Sequence, residues 1–265
     1  KARQQLLNTY LNELRQRYQP NTRTQSASFR LKEALISLAT FGYGNQAVAR
    51  NEDAIQTLEG FEAVLKKVLP KSLGFRRIMI RLPEVVLDTD TGEFSLDAVS
   101  GGVSAIIDMS WQLHMATLVY GSLVAIIDEP ENHLHPTLQK TLLPDFIEAF
   151  PQHQFIIATH NPFMVTSVAD SNVYVLDYDY EVPSRVFSTK LDLINKAGSS
   201  NDVLREVLGL EHTKPLWVET KIEEIVERYG EREIDDSTLR ELRDELKQLK
   251  LEEFIPETIS RVAKT

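Results

Sequence analysis

Cysteine is absent from these 265 residues. That excludes a disulfide scaffold, a Cys-ligated zinc site and a thiol nucleophile, and it fits a reducing, cytoplasmic setting. No stretch approaches the roughly eighteen consecutive apolar residues of a bilayer-spanning helix, so no membrane segment is expected. The opening residues Lys1-Ala2-Arg3-Gln4-Gln5 offer neither an initiator methionine nor the apolar core of a signal peptide. They read like the middle of a helix, and more chain upstream is expected. Hydrophobic residues at 42% and charged residues at 26% match ordinary globular usage, which argues against disorder and low complexity. At 30.2 kDa the chain is one large domain or two small ones.

Charge of one sign is scarce in places. The net charge is -10, yet residues 1–50 hold eight Lys/Arg against two Asp/Glu. Such a chain does not coat nucleic acid uniformly, although its basic first fifth can present a local patch to phosphates. Arg15, Arg17, Arg23, Arg30 and Lys32 surround a polar break there, and a solvated helix face explains them equally well.

Leu6, Leu7, Tyr10, Leu11, Leu14 and Tyr18 recur at helical spacing, so residues 2–18 read as an amphipathic helix ended by Pro20-Asn21. A second helical pattern covers 29–41. A third opens at Asn51, an N-cap, carries Ile55, Leu58, Phe61, Leu65 and Leu69 inward, and stops at Pro70. The period then shortens to that of strands over Phe75–Leu82, Val85–Leu87 and Glu93–Leu96. A helix of about 18 residues follows Ser100-Gly101-Gly102. Leu123-Val124-Ala125-Ile126-Ile127 is wholly apolar, as for a strand buried on both faces of a parallel sheet. A helix after Pro136, the strand Phe155–Ala158, a short helix after Pro162 and the strand Val173–Leu176 complete an α/β core. The tail reads as helices: a short one from Ser200 through Leu208, one marked by Val218, Ile222, Ile225, Val226 and Tyr229, and one marked by Leu239, Leu242, Leu246 and Leu249.

The apolar run 123–127 ends in Asp128-Glu129. Carboxylates at the carboxyl end of a buried parallel strand stand where α/β folds bind ligands. Two adjacent acids suit phosphoryl transfer, one holding Mg²⁺ and the other polarising the attacking water. Taken alone, the pair is as easily a solvated acidic turn. A second apolar strand ends at Thr159-His160-Asn161, where an imidazole can reach the γ-phosphate of a nucleotide held by the neighbouring strand. Upstream, Ser100-Gly101-Gly102 opens a long helix and offers backbone N–H groups and a positive dipole end to an anion.

In this order and spacing the three segments resemble the ATP-binding-cassette (ABC) ATPases. Ser100, Gly101 and Gly102 match the signature motif, Leu123–Glu129 matches Walker B with its glutamate, Glu131–Pro136 looks like the D-loop, and His160 matches the switch histidine. The runs Asp-Glu-Pro-Glu-Asn-His-Leu-His-Pro and Ala-Thr-His-Asn-Pro are similar to the RecF/SMC-like branch, especially its overcoming-lysogenisation-defect and anti-phage ATPases. Transporter cassettes usually carry Gln after the signature glycines, whereas Val103 stands here. The likeness covers roughly residues 75–178.

The resemblance implies an ABC-ATPase-like parallel sheet with helices over 73–192, preceded by a helical arm over 1–72 and followed by a helical subdomain over 193–265. It implies ATP and Mg²⁺ as cofactors, Glu129 as general base, Asp128 as metal-binding acid and His160 as γ-phosphate sensor. Ser100, Gly101 and Gly102 would contact nucleotide bound by the opposite protomer of a homodimer or higher oligomer. The D-loop residues Asn132, His133, Leu134 and His135 would shape the dimer-facing segment. Partners would be a nuclease or other effector protein, with nucleic acid meeting segment 1–50 and no membrane. The setting would be DNA repair or phage defence, with hydrolysis coupled to dimer closure. The alternative is a non-hydrolysing, ATP-gated scaffold that organises a partner effector.

One element is missing. No Gly-x-x-x-x-Gly-Lys-Ser/Thr occurs, so nothing in the sequence cradles the β-phosphate or supplies the first hydroxyl ligand to Mg²⁺. The expectation is that these residues are the carboxyl-terminal part of a longer ATPase and turn over no ATP alone. His133 and His135 also have metal-ligand potential, but loop shaping is the stronger reading. Pro215–Glu219 resembles the opening of a Toprim nuclease, but no Asp-x-Asp follows at a strand end. A complete Toprim is rejected in favour of a helix packing on the core.

Overall fold

The computed structural model describes residues 27–178, 186–192, 200–207, 214–230 and 235–263, together with 4, 5, 8, 9, 12, 209 and 232 singly. Most of the expected first helix, including Arg15 and Arg17, lies outside the described residues, as do Arg23 and Leu208. The chain divides into two compact units, Lys1–Ser200 and Asn201–Thr265.

In the first unit, helices α1 (Ala27–Tyr43) and α2 (Glu52–Val68) precede an antiparallel sheet of β1 (Phe75–Arg81), β2 (Glu84–Thr89) and β3 (Gly92–Ser95) in sequence order. Helix α2 follows from local chemistry. The Asn51 side chain accepts from Ala54 N at 3.2 Å, Glu52 and Asp53 sit at the positive end, and Lys66 and Lys67 sit at the negative end. Leu58, Phe61 and Leu65 turn the same face inward. Leu31 and Leu35 of α1 join that core. Phe61 meets Trp111 edge to face at 4.9 Å between centroids.

Trp111 belongs to α3 (Gly101–Tyr120), which runs into β4 (Val124–Asp128), α4 (Pro136–Ala149), β5 (Gln154–Ala158) and the single turn α5 (Pro162–Val165). β4 and β5 pair in parallel, Val124 opposite Gln154 and Asp128 opposite Ala158. This is an α/β architecture with a parallel sheet, as the alternation of elements implies. β6 (Tyr174–Tyr178) and β7 (Val186–Lys190) form a separate antiparallel pair, and β7 is a strand the sequence pattern does not announce.

The expectation that β4 and β5 are covered on both faces does not hold among the described residues. Ala125 is buried, but Val124, Ile126 and Ile156 are 53%, 78% and 49% exposed. Inward residues alternate with outward apolar ones because only one face of the pair meets the core. An apolar cleft bordered by Met109, Tyr120, Leu123 and Ile126 adjoins the open face.

The second unit has its own core. Helices α6 (Leu216–Gly230), α7 (Asp236–Gln248) and α8 (Ile255–Val262) bring Ile222, Ile225, Leu242, Leu246 and Val262 together. A helical turn at Ser200–Asp202 continues through Val203–Val207. Val218 and Glu219 of α6 are buried, while Leu216 and Trp217 are 82% and 65% exposed, so Trp217 itself does not pack inward. Among the described residues no helix is long and apolar enough to cross a membrane.

Candidate functional site

The site grows from the carboxyl ends of β4 and β5. Glu129 N donates to Ala158 O at 2.8 Å, extending the parallel ladder by one bond. The chain then turns with Glu129 at φ 45° and His133 at φ 68°. The left-handed region is costly for residues with a Cβ, and such strain gathers at functional segments. Asn132 N donates to Glu129 O at 3.1 Å and Leu134 N to Glu131 O at 3.0 Å, which close the turn.

Three of the anticipated residues meet here. His160 Nδ1 lies 2.7 Å from Glu129 Oε1, and Asn132 Nδ2 donates to Glu129 Oε2 at 2.8 Å. The Asn132 bond chiefly, helped by the His160 charge and bond and opposed by desolvation, holds the Glu129 carboxyl below its ordinary value. Glu129 is therefore held in its ionised, proton-accepting form, as a weaker base than an ordinary glutamate. Asp128 is exposed at the end of β4, one residue away. Its hard carboxylate oxygens suit Mg²⁺, which keeps most of its waters and needs few protein ligands. Among the described residues no group of three or more His, Asp or Glu forms a ready-made metal cage.

The remaining D-loop-like residues divide by role. Leu134 is buried in the core. His135 caps α4, its Nδ1 accepting from Thr137 N at 3.3 Å ahead of Pro136 at the first helical position. His133 presents its backbone to the start of α3, where a Cβ on Gly102 would stand 3.0 Å from His133 O and 3.1 Å from Leu134 Cδ2. Ser100 caps α3, its Oγ accepting from Val103 N at 3.4 Å. Gly101 is exposed, with open space where a Cβ would project. The Ser100–Gly102 segment thus touches the 133–134 turn, while Glu129 and His160 form a separate cluster.

Sequence reasoning gave no individual role to four neighbours, Glu131 entering only as the first residue of the D-loop-like run. Glu131 is buried and its Oε1 accepts from the Thr159 hydroxyl. Thr159 Oγ1 accepts from Asn161 N at 2.9 Å, Asn161 Nδ2 donates to Gln139 Oε1 at 2.8 Å, and Gln139 Nε2 donates to Leu134 O at 3.0 Å. Asn161 followed by Pro162 is a legible N-cap signal, and its Oδ1 does accept from Phe163 N at 2.8 Å.

Of the basic residues Arg15, Arg17, Arg23, Arg30 and Lys32, read as a phosphate-facing patch or a solvated helix face, the two described ones lie against acids. Arg30 pairs with Glu33 at 2.6 Å, and Lys32 pairs with Asp97 and, at 3.5 Å, with Glu84.

Residues 29–166, just over half of the chain, match the family model described as "AAA domain, putative AbiEii toxin, Type IV TA system". Septu protein PtuA of Bacillus thuringiensis is 23% identical over 261 residues, a match covering 88% of this chain and 64% of that protein. The Escherichia coli protein named "Retron Ec83 probable ATPase" is 26% identical over 132 residues, 46% of this chain and 24% of that one. A solved SMC ATPase, described for ATP-driven dimerization and DNA-stimulated activation, is 16% identical with a TM-score of 0.45, covering 61% of this chain and all of that one. The chain belongs to the family described as "AAA domain, putative AbiEii toxin, Type IV TA system". It spans 64% of the length of the Septu relative.

Proposed function

We propose that this chain carries the hydrolytic half of a Mg²⁺-dependent ATPase that serves phage defence or DNA repair. One observation carries the reading: the Glu129 carboxyl group lies 2.7 Å from His160, at the carboxyl ends of two parallel strands and adjacent to Asp128. Glu129 acts as general base, Asp128 binds Mg²⁺ directly or through water, and His160 senses the γ-phosphate. Ser100, Gly101 and Gly102 address nucleotide held by a second protomer, and the 132–135 segment lies at that interface. Closure of the dimer on ATP is relayed to an effector protein such as a nuclease. Nucleic acid, where it binds, meets the basic segment 1–50.

The reading needs a phosphate-binding loop, for which the Septu relative, matched over 64% of its length, leaves room. The test uses the whole protein. Glu129→Gln should lower hydrolysis by about 10²- to 10⁴-fold while ATP binding persists. Turnover at the unaltered rate would overturn the assignment.

The engagement of both Glu129 oxygens, by His160 and Asn132, favours a second reading. In it the protein is an ATP-gated scaffold that binds nucleotide without cleaving it and organises an effector. ATP binding by the unmodified whole protein with no phosphate release would select that reading.

A further inference from the structure

Glu131 is 3% exposed, a burial few carboxylates reach unless paired. One oxygen takes the Thr159 hydroxyl proton, and the other, Oε2, is buried with no partner among the described residues. A half-satisfied buried carboxylate is unfavourable for stability, and such groups are retained where they serve function. The contact it makes joins two segments 28 positions apart, one following β4 and the other following β5.

The contact belongs to a closed ring. From Glu131 it passes to Thr159 Oγ1, on to Asn161 N, from Asn161 Nδ2 to Gln139, from Gln139 to Leu134 O, and from Leu134 N back to Glu131 O. Two of its five bonds, Glu131–Thr159 and Asn161–Gln139, tie the turn carrying Glu129 or the helix behind it to the turn carrying His160, and the other three brace the two sides. His160 itself has an exposed side chain, so packing does little to hold it.

We propose that Glu131 is a positioning residue that, through the Thr159 hydroxyl, fixes the 159–161 turn and so holds His160 against Glu129. It touches no reacting atom. The proposal rests on the reading of Glu129 and His160 as the hydrolytic pair. Because the link runs through an acceptor oxygen, a glutamine at this position preserves it and an alanine does not. A serine at position 159 likewise preserves the hydroxyl, and a valine removes it at constant volume.

The whole protein is the test material, read by steady-state ATP hydrolysis and by amide exchange followed by mass spectrometry without nucleotide. Glu131→Ala and Thr159→Val should each lower kcat by about 10- to 100-fold, the scale on which lost positioning acts, with KM for ATP within about threefold. The double variant should be no worse than Thr159→Val alone, which already cuts the Glu131 link together with the Asn161 N bond. Glu131→Gln and Thr159→Ser should stay within about threefold of the unmodified kcat. Exchange over 159–163 should rise about tenfold in Glu131→Ala and stay unchanged in Glu131→Gln, while peptides from β1 to β3 stay unchanged. Equal inactivity of Glu131→Gln and Glu131→Ala would overturn the proposal, because the charge rather than the acceptor would then matter. Additive losses in the double variant, or unaltered exchange over 159–163 in Glu131→Ala, would overturn it as well. If the unmodified protein hydrolyses no ATP, the reading of the hydrolytic pair fails by itself, and the exchange measurement alone decides whether Glu131 orders the 159–161 turn.

Discussion

Asn132 Nδ2 and Glu129 Oε2 are 2.8 Å apart, and this bond is the largest single cause holding the Glu129 pKa down. A base with a depressed pKa keeps its proton-accepting form to lower pH, so the acid limb of kcat/KM lies below that of an ordinary glutamate. Asn132→Ala removes the main cause, and the acid limb should move to higher pH. His160→Ala removes both a charge and a bond that lower it, and its limb should move the same way. A pH–rate profile of the three proteins checks both shifts. An acid limb in Asn132→Ala at the unmodified pH would show that Glu129 does not set it.

Gly101 and Gly102 look alike in the sequence and differ in their surroundings. A Cβ at Gly101 enters open space, and alanine suits a helix better than glycine, so Gly101→Ala should leave the melting temperature unchanged or slightly raised. At Gly102 the same atom stands 3.0 Å from His133 O, a backbone oxygen in a turn already at positive φ. Gly102→Ala should destabilise by about 1–3 kcal/mol, the usual range for overpacking. Thermal melts of the two variants give the answer. Equal melting temperatures would show that the 133–134 turn yields without cost.

The entry to β4 is pinned by a histidine whose charge state matters. Leu123 N donates to His153 Nδ1 at 3.4 Å, and His153 Nε2 lies 2.7 Å from Thr117 Oγ1, whose own proton goes to Leu113 O at 2.6 Å. That pattern requires a neutral ring with its proton on Nε2. Burial lowers the His153 pKa below 6.5, partly opposed by a bond with the Gln152 backbone. The sign follows from linkage: the unfolded chain takes up the proton first. The stability His153 contributes is complete above about pH 6.5, its ordinary value, and is lost as pH falls through the lower folded value. Melting temperatures from pH 8 to pH 5 should therefore fall more steeply for the unmodified protein than for His153→Phe. Parallel curves would remove His153 as the cause.

The placement of Asp128, Glu129 and His160 at the ends of two paired strands was legible because an apolar run that stops at a polar residue marks a strand end, and two such ends separated by one helix define a parallel pair. The ring through Glu131, Gln139, Thr159 and Asn161 was not legible. Its bonds join residues up to 28 positions apart, and no local pattern fixes which oxygens meet. The open face of β4 escaped notice for a different reason. An unbroken apolar run reads as buried on both sides whether or not the covering layer is among the same residues. α8 lies beyond the helical patterns read in the tail, and Pro256 occupies its first turn, where proline is favoured. β7 is short and exposed along its length, so it carries no alternation to detect.

The two-protomer arrangement has its own test. If Ser100 serves the opposite subunit, each nucleotide sits between Asp128 and Glu129 of one chain and Ser100 of the other. In the whole protein, Ser100→Arg places a bulky side chain in the partner's phosphate site, and Glu129→Gln disables the site on its own chain. Each variant homodimer then carries two broken sites and should be nearly inactive. In a mixed dimer the Ser100→Arg chain keeps its Glu129 and faces an intact Ser100, which makes one whole site, while the other site bears both lesions. Random exchange makes about half of the dimers mixed, so roughly a quarter of the unmodified site number should return when sites act independently. Phosphate release measured before and after mixing equal amounts of the two variants reads this directly. Recovery toward a quarter is incompatible with hydrolysis inside a single chain. Turnover by Ser100→Arg alone at the unmodified rate would remove Ser100 from the site.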